Sequence, residues 1–583
     1  MTERAGTLTR ISGAVVQAAL EQPMSLGEVA RAGAAGLFGE VIALDENAAT
    51  VQVYEDTSGL TPGEPLFAEG APLSVELGPG LLDSVFDGVQ RPLPRLAEIE
   101  GDFLARGQRL PALPRDKRWP FVPAVQVGDV ITPGMILGRV QETSALEHRV
   151  LAPPHVSGKA VWVAEAGDKR VEEIVVRVAT ADGELALPMF HRWRVRAPRP
   201  VRERLPAATP MITGQRVLDT LFPIPLGGAA GMPGGFGTGK TILQQSLCRF
   251  ADADVIVYVG CGERGNEMTH LLRELPDLPD PRTGRPLAER TVLIANTSNM
   301  PVPARESSIY TGVTIAEYYR DMGYRVALLA DSTSRWAEAL REISGRLEEI
   351  PAEEGYPPYL ASRLAAFYER AGRVTALSGA EGSVTIISAI SPPGGDLTEP
   401  VTRHTQEFTR TFWTLDKELA SARSFPAISV KSSYGDLPPG LVKYWERELP
   451  GWTALRAQAL TLLEEADRLQ ATARLVGEEN LPDRQRFTLA AAALLREGFL
   501  QQNAYDPREA RCSPQRQAQL LALVLQFREA GLAALDRGVP SAKLSSHPLV
   551  ASLRRARAFG EEELPKLAAL GTELRETFRA LEA

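Results

Sequence analysis

The sequence has few cysteines, few histidines and no long hydrophobic run, and each shortage argues against a class of protein. Its three cysteines are isolated and its six histidines are scattered, so we expect neither a disulfide framework nor a zinc site. No run of about 18 apolar residues occurs, which argues against a transmembrane segment in this chain. The first residues lead into no apolar stretch of the kind that secretory signals carry. We therefore expect a cytoplasmic protein with reduced thiols.

Positive charge is not in excess either. The chain has 64 basic and 73 acidic residues, a net charge of −9, whereas nucleic-acid binding depends on basic surfaces, so no nucleic acid is expected as a partner. A hydrophobic content of 44% and a charged content of 23% are typical of globular proteins. At 583 residues the chain is too long for one hydrophobic core and should form several domains.

Residues 234–241 contain the clearest chemical motif. They read Gly-Gly-Phe-Gly-Thr-Gly-Lys-Thr, which fits the pattern G-x-x-x-x-G-K-[ST] of the phosphate-binding loop between a strand and a helix. Glycines permit positive φ angles and let backbone N–H groups surround phosphate oxygens. The helix expected to begin near Lys240 adds the positive end of its dipole. The predicted nucleotide-binding residues are Gly234, Gly235, Phe236, Gly237, Thr238, Gly239, Lys240 and Thr241.

Each residue type in this loop has a specific role. Lys240 is predicted to contact the β- and γ-phosphates, and the Thr241 hydroxyl is predicted to ligate Mg²⁺. The large side chain of Phe236 is expected to pack under the loop and shape it. The alternative is a glycine-rich turn before an ordinary helix, but the amphipathic pattern that follows the loop favours nucleotide binding.

The spacing of apolar residues divides the chain into domains. Short alternating runs in residues 1–75, separated by Gly and Pro, predict a small closed β-barrel. Prolines punctuate strand-like pieces in residues 110–190, which predicts an inserted β-rich domain. Residues 76–109 and 191–440 are assigned to a central α/β domain with a mostly parallel sheet, and residues 441–583 to a C-terminal helical domain.

Polar clusters follow the apolar strand candidates of the central domain at 255–259, 326–330 and 384–390. In open α/β sheets the ligand lies beyond the carboxyl ends of the strands, so these clusters are expected to face the phosphate loop. Asp331, directly after an apolar run, fits the acidic Walker-B position and would hold Mg²⁺ through a water. Residues 194–200 are interpreted as an extended linker that returns to this domain.

Phosphoryl transfer to water needs a group that orients the water and positive charge near the transferred phosphoryl group. Glu263 is the first candidate for the water-orienting group, and Glu267, one helical turn further, is the second. The alternative for Glu263 is a first-turn carboxylate that only complements a helix dipole. Arg264 could orient the Glu263 carboxylate or contact the γ-phosphate, and the alternative is an ordinary surface arginine. The same alternatives apply to Arg335.

Together these stretches resemble the catalytic A-type polypeptide of the V-type (archaeal and vacuolar) rotary ATPases. The resemblance covers essentially the whole chain, including the inserted domain, which the F-type catalytic β polypeptide lacks. The B-type polypeptide of the V-type enzymes, in contrast, lacks an intact phosphate loop. The matching stretches are GGFGTGKT (234–241), GCGERGNEMT (260–269), DSTSRWAEALREIS (331–344), GYPPYLASRLAAFYERAGRV (355–374), SPPGGDLTEPVT (391–402), ARSFPAI (422–428) and FLQQNAYD (499–506).

The resemblance implies a multidomain fold and a set of site residues. The implied fold has an N-terminal β-barrel, an inserted β-rich domain, a central α/β P-loop (RecA-like) nucleotide-binding domain and a C-terminal α-helical domain. Glu263 would activate the attacking water, with Arg264 near the γ-phosphate and Mg²⁺ as the cofactor bound with ATP or ADP. Phe425 and Tyr505, with Gln502 nearby, would form the adenine pocket, which suits the stacking of a flat base on aromatic faces.

The resemblance also implies partners. A-type and B-type subunits would alternate in an A₃B₃ ring, with central and peripheral stalks and a membrane sector reached only through other subunits. The neighbouring B-type subunit would supply an arginine finger, and rotation would couple ATP turnover to proton or sodium transport at the cytoplasmic face of the cell membrane.

Two other functions remain open. One is a hexameric motor ATPase without ion coupling, such as a secretion-system or Rho-like motor, against which the inserted domain and the GERGNE stretch argue. The other is a non-catalytic nucleotide-binding ring subunit, against which the joint presence of Lys240, Glu263 and Asp331 argues.

Overall fold

The computed structural model describes residues 3–101, 106–108, 110–274 and 278–581. The chain forms two compact units that are each assembled from separate stretches of sequence. The first unit contains Met1–Leu205, Ala253–Ser391 and Leu397–Phe408, and the second contains Pro206–Asp252, Pro392–Asp396 and Thr409–Ala583.

The first unit begins with a closed antiparallel barrel, which confirms the expected N-terminal β-barrel. Its strands are arranged in space as first, second, fifth, fourth, third and sixth in the sequence. Alternate side chains of a strand point to opposite faces, and those that point inward, such as Val16, Val41 and Val51, form the barrel core. The strands are Glu3–Ser12, Val15–Leu20, Glu28–Ala32, Leu37–Asp45, Ala48–Val53 and Pro65–Pro72.

The inserted β-rich domain is confirmed as two four-stranded sheets in the same unit. The strand that begins at Val176 follows a turn in which the N–H of Glu173 bonds to the carbonyl of Arg170 at 3.1 Å. One sheet contains Val130–Ile131, Gly158–Val163, Val176–Thr180 and Gly183–Leu187. The other contains Arg118–Pro123, Ile136–Gln141, Glu147–Leu151 and Gly167–Arg170.

The segment 194–200, interpreted from sequence as an extended linker, is packed into the first unit. The strand before it, His191–Arg194, pairs with Ser74–Leu77. Arg199 is buried, and its Nε lies 2.6 Å from a carboxylate oxygen of Asp321. A buried ion pair of this kind holds the segment against the Val302–Asp321 helix.

A parallel sheet forms the centre of the first unit and confirms the predicted α/β architecture. Its strands, in spatial order, are Glu381–Ile390, Arg325–Asp331, Val255–Glu263, Thr291–Thr297 and Ser84–Phe86. The strands read as continuous apolar runs because both faces of a parallel sheet are covered. Helices of this unit are Leu93–Glu100, Gly265–Glu274, Val302–Asp321, Thr333–Arg346, Leu360–Tyr368 and Pro400–Phe408.

The second unit joins the phosphate-loop strand to the helical part of the chain. Its strand Ala229–Pro233 runs parallel to Thr411–Phe412, which pairs antiparallel with Tyr434–Gly435. The C-terminal helical domain is confirmed. Helices of this unit are Arg216–Leu221, Lys240–Phe250, Lys417–Ser421, Pro439–Glu448, Trp452–Val476, Asp483–Leu495, Pro514–Leu535, Ser541–Ser545, Pro548–Arg555 and Leu564–Ala580.

Within the described residues, the helix Pro514–Leu535 is long and apolar enough to cross a membrane by length and composition alone. It packs between Asp483–Leu495 and Leu564–Ala580. The ring centre of Phe527 lies 5.2 Å from that of Phe487 and 5.6 Å from that of Phe578. This packing is typical of the core helix of a bundle.

Candidate nucleotide site

The phosphate-loop sequence adopts a strand–turn–helix arrangement in the second unit. It follows the strand Ala229–Pro233 and ends in a helix that begins at Lys240, as predicted. Gly237 and Gly239 have φ angles of 77° and 87°, in the left-handed region that favours glycine. The hydroxyl of Thr238 donates to the carbonyl of Gly235 at 2.8 Å and closes the turn.

One side of the loop is packed and the other is open. A Cβ atom on Gly234 would lie 2.6 Å from the Thr238 hydroxyl and 2.8 Å from Cβ of Leu415. A Cβ atom on Gly235 or Gly237 would meet nothing within 4 Å. The space on this side of the loop is open, and the start of the helix that follows attracts an anion.

Lys240 and Thr241 occupy the first turn of this helix and are partly exposed. The ammonium group of Lys240 donates to the carbonyl oxygen of Gly234, so the side chain folds back over the loop. A lysine in this position can exchange a carbonyl oxygen for a phosphate oxygen without disturbing the hydrophobic core.

Phe236 does not pack under the loop, so that expectation was wrong. Its side chain is 81% exposed. Thr238 and Leu415 occupy the packed side of the loop next to Gly234.

The predicted adenine-pocket residues all lie in the second unit. A Cβ atom on Gly239 would lie 3.3 Å from Cε1 of Phe425, so this ring borders the start of the phosphate-loop helix. The backbone N–H of Gln502 donates to the carbonyl of Phe425 at 2.8 Å. The side chain of Phe425 is 41% exposed and that of Tyr505 is 79% exposed, so each ring has surface available for contact with a ligand.

Gln502 itself is buried and its amide bonds to the main chain. Its Nε2 donates to the carbonyls of Gly214 at 2.8 Å and Glu509 at 2.7 Å, and its Oε1 accepts from the N–H of Arg216 at 2.9 Å. Both polar atoms of the side chain are therefore engaged. The side chain therefore ties the segment around residue 502, which also carries Tyr505, to residues 214–216.

Arg216 is a supporting residue that the sequence analysis missed. Its guanidinium is buried, donates from Nε to the carbonyl of Phe499 at 2.6 Å and also donates to the carbonyl of Gln501. Burial lowers the pKa of Arg216, against the opposing effect of nearby Cys512 and Glu509. The only signal in the sequence was an arginine directly before the apolar residues Val217 and Leu218.

In the first unit, Glu263 is the last residue of the strand Val255–Glu263, which extends further than the predicted 255–259. Its carbonyl accepts a hydrogen bond of 2.8 Å from the N–H of Ser298. The helix begins only at Gly265, and Glu267 is the acidic residue of its first turn. Glu267, and not Glu263, therefore lies in the first turn of the helix, whereas Glu263 lies at the carboxyl end of a strand, the edge at which open α/β sheets bind ligands.

Arginines lie close to Glu263. The backbone of Gly262 has a φ of 72°, and a Cβ atom there would lie 2.7 Å from Cβ of Arg335 and 3.0 Å from Cδ of Arg305. Hydrogen bonds to Glu338, with a further contribution from the charge of Glu263, raise the pKa of Arg335. The Arg264 side chain is exposed.

Asp331 ends the neighbouring strand Arg325–Asp331 and is buried. The Tyr258 hydroxyl donates to its Oδ2 at 3.3 Å. Within the described residues, no group of three His, Cys, Asp or Glu side chains could hold a metal ion. A single carboxylate of this kind fits Mg²⁺, which keeps several waters and takes other ligands from a nucleotide's phosphates.

Family models match four parts of the chain. The nucleotide-binding domain of the ATP synthase alpha/beta family matches residues 214–435, and the β-barrel domain of that family matches residues 8–66. The barrel-sandwich domain of the ATP synthase alpha/beta subunits matches residues 110–196. The C-terminal domain of V and A type ATP synthase matches residues 442–544.

Whole-length relatives agree with these matches. The alpha chain of the V-type ATP synthase of Anaeromyxobacter dehalogenans is 53% identical over 580 residues, 99% of this chain and 100% of the relative. The corresponding V-type alpha chain of Nitrosococcus oceani is 50% identical over 581 residues, 99% of this chain and 98% of the relative. The equivalent polypeptide of the A-type ATP synthase of Thermococcus onnurineus is 52% identical over 580 residues, which are 99% of each chain.

A solved structure shares the fold. The assembled ATPase EscN of an enteropathogenic E. coli type III secretion system superposes with a TM-score of 0.64 over 89% of this chain and all of that chain, at 23% identity. At this identity the likeness concerns the fold alone. The full-length relatives are far more similar, and this chain therefore belongs to the family of V-type ATP synthase alpha chains and their A-type ATP synthase counterparts.

Proposed function

We propose that this chain is the catalytic subunit of a rotary ATPase or ATP synthase, where it hydrolyses or synthesises Mg·ATP. The observation that carries the proposal is the phosphate loop, which is intact in sequence and folded with an open face before the Lys240 helix. The full-length similarity to A-type and V-type relatives supports it. The likeness to the secretion-system ATPase supports only the fold.

Different residues of this chain bind the nucleotide and take part in the reaction. Lys240 and the backbone of the loop bind the β- and γ-phosphates, and Phe425 and Tyr505 hold the base. Glu263 accepts a proton from the attacking water in hydrolysis, and Arg264 contacts the γ-phosphate. These roles match the needs of phosphoryl transfer, in which positioning and electrostatic stabilisation supply most of the rate.

Mg²⁺ is the proposed cofactor. The Thr241 hydroxyl would ligate it directly and Asp331 would hold it through a water. When bound, the ion would neutralise charge on the phosphate oxygens. Both side chains offer oxygen ligands, the type that Mg²⁺ prefers.

The proposed site is completed by a B-type subunit in an alternating A₃B₃ ring. Central and peripheral stalk subunits would connect the ring to a membrane sector, so the chain would be peripheral on the cytoplasmic face of the membrane. Rotation would couple its turnover to the transport of protons or sodium ions, the reaction of the two-sector translocating ATPases (EC 7.1.2.2).

The partner requirement is tested by comparing the purified chain with the reconstituted ring. An arginine finger from a partner is worth roughly 10³–10⁵ in rate, so the chain alone should bind Mg·ATP and hydrolyse it very slowly. Adding the B-type subunit should restore turnover, and an alanine in place of its finger arginine should abolish the gain. Full-speed hydrolysis by a verified monomer would contradict this proposal.

The role of Glu263 is tested against its neighbour Glu267. Glu263→Gln keeps the shape of the side chain and removes its negative charge, so hydrolysis in the ring should fall by about 10² or more, as expected for a lost general base. Nucleotide binding should persist. Glu267→Gln, the matched control in the first turn of the helix, should have the smaller effect, and the reverse order would exchange the two roles.

A further inference from the structure

Arg305 lies in the first turn of the helix Val302–Asp321, on the same side of the first unit as Glu263. Its Nη2 donates to the carbonyl oxygen of Ser298 at 3.0 Å. The N–H of Ser298 in turn donates to the carbonyl of Glu263 at 2.8 Å. One residue, Ser298, thus links the Arg305 side chain to the main chain of Glu263.

A second contact involves Gly262, the residue before Glu263. The space that a side chain at 262 would fill is occupied by the stems of two arginines, with Cδ and Nε of Arg305 at 3.0 Å and 3.2 Å from the position of a Cβ atom. The strand pairing shifts register between Cys261 and Glu263, so the end of the strand leaves the regular ladder. Glu263 itself still pairs with Thr297, so backbone pairing and the two arginine stems together hold this end of the strand.

The main chain of Arg305 is also fixed. Its carbonyl accepts hydrogen bonds from the Ser308 hydroxyl at 2.7 Å and from the Cys261 thiol at 3.4 Å. The side chain therefore extends from a well-anchored helix turn, with its stem against Gly262 in the strand Val255–Glu263 and its guanidinium on Ser298, directly after the strand Thr291–Thr297. Arg305 thus connects the carboxyl ends of two neighbouring strands.

We propose that Arg305 is a positioning residue that sets the orientation of the Glu263 carboxylate through Ser298 and Gly262. The inference rests on the proposed role of Glu263 in hydrolysis. Arg305 would not need to contact the nucleotide. Loss of its hydrogen bond would let the strand end move, and displacement of a catalytic group by about 1 Å can cost about 10²-fold in rate.

The test uses Arg305→Met in the reconstituted ring. Methionine keeps an apolar stem against Gly262 and removes every donor, so the effect reports on the hydrogen bond to Ser298. We expect kcat to fall by about 10- to 100-fold while KM for Mg·ATP stays within about twofold, because only a transition-state interaction is lost. Arg305→Lys, which retains one donor, should recover most of the loss. Arg346→Ala is the matched control, since Arg346 pairs only with exposed Glu342, at 2.7 Å, among the ion pairs of the described residues.

A double-mutant cycle separates positioning from general destabilisation. If Arg305 acts through Glu263, then Arg305→Met should change the residual hydrolysis of a Glu263→Gln ring by less than about twofold. Melting temperature and nucleotide affinity of each variant verify that the site is folded. Additive losses in the cycle, or an Arg305→Met ring with wild-type kcat, would overturn the inference while the role of Glu263 stands. Normal turnover by Glu263→Gln alone would instead refute the proposed role of Glu263, and this inference with it.

Discussion

A buried polar network around Glu142 fastens the inserted domain to the α/β part of the first unit. One carboxylate oxygen accepts hydrogen bonds from the backbone N–H groups of Gly80, Leu81 and Leu82 at 2.7, 2.9 and 3.1 Å. The other lies 2.7 Å from Nδ1 of His148. The Tyr319 hydroxyl donates to the same carboxylate at 3.0 Å.

Glu142→Ala should therefore destabilise the first unit strongly. The substitution would leave three buried N–H groups without an acceptor, and each such loss costs about 1–3 kcal/mol. Removal of one partner from a buried ionic network costs about 3–5 kcal/mol in total. Each of these two estimates gives a loss of at least about 3 kcal/mol in the local stability of the first unit. Such a loss corresponds to about a 10²-fold change in the equilibrium constant for local opening.

Hydrogen–deuterium exchange of the peptide around residues 80–82 is the best measurement, because a multidomain chain need not unfold in one step. Its protection should fall by about 10²-fold in Glu142→Ala. Glu147→Ala is the control from the same inserted domain: its carboxylate is 3.3 Å from Arg139 and 37% exposed, and such pairs contribute about 1 kcal/mol or less. Equal protection of 80–82 in the two variants would refute the reasoning.

Three further predictions concern the nucleotide and pH. Lys240→Ala should abolish turnover and weaken Mg·ATP binding without lowering the melting temperature, since the side chain lies over the loop and not in the core; near-normal turnover in the ring would contradict it. Phe425→Ala should raise KM for ATP by about tenfold through lost stacking, whereas Phe425→Tyr should not, as steady-state kinetics would show. Burial raises the pKa of Glu142, but His148 and the backbone N–H groups outweigh it and lower the pKa below 4.5. The ionised Glu142 therefore stabilises the fold fully above pH 4.5, and this stabilisation is lost as the pH falls through the lowered pKa of the folded state. The melting temperature of Glu142→Ala should consequently depend less on pH, between pH 7 and 3, than that of the wild type.

The phosphate loop and the fold class could be predicted because their signals are local or periodic. The loop is specified by consecutive residues, since glycines at 237 and 239 permit left-handed angles and the helix starts directly after them. The barrel follows from alternation, and the parallel sheet from continuous apolar runs. Such patterns indicate the local backbone conformation and which side chains are buried, and residues close together in the sequence are enough to show both.

Side-chain partners far apart in the sequence could not be predicted in this way. The sequence does not show that Leu415, far away along the chain, packs against Gly234 in the phosphate loop, or that Phe236 is exposed. The amide of Gln502 is engaged by carbonyls and an N–H that lie mostly near residue 214, nearly three hundred positions away.

By itself, the sequence determined the strand–loop–helix of the phosphate site, the order of the domains and the family. Only the tertiary structure decided that the strand continues to Glu263, that residues 194–200 are packed, and that the Arg305 side chain lies against Gly262 near the end of that strand. The physical reason is that backbone conformation follows from neighbouring residues, whereas the orientation of a buried charge depends on the groups that folding brings to it from elsewhere in the chain.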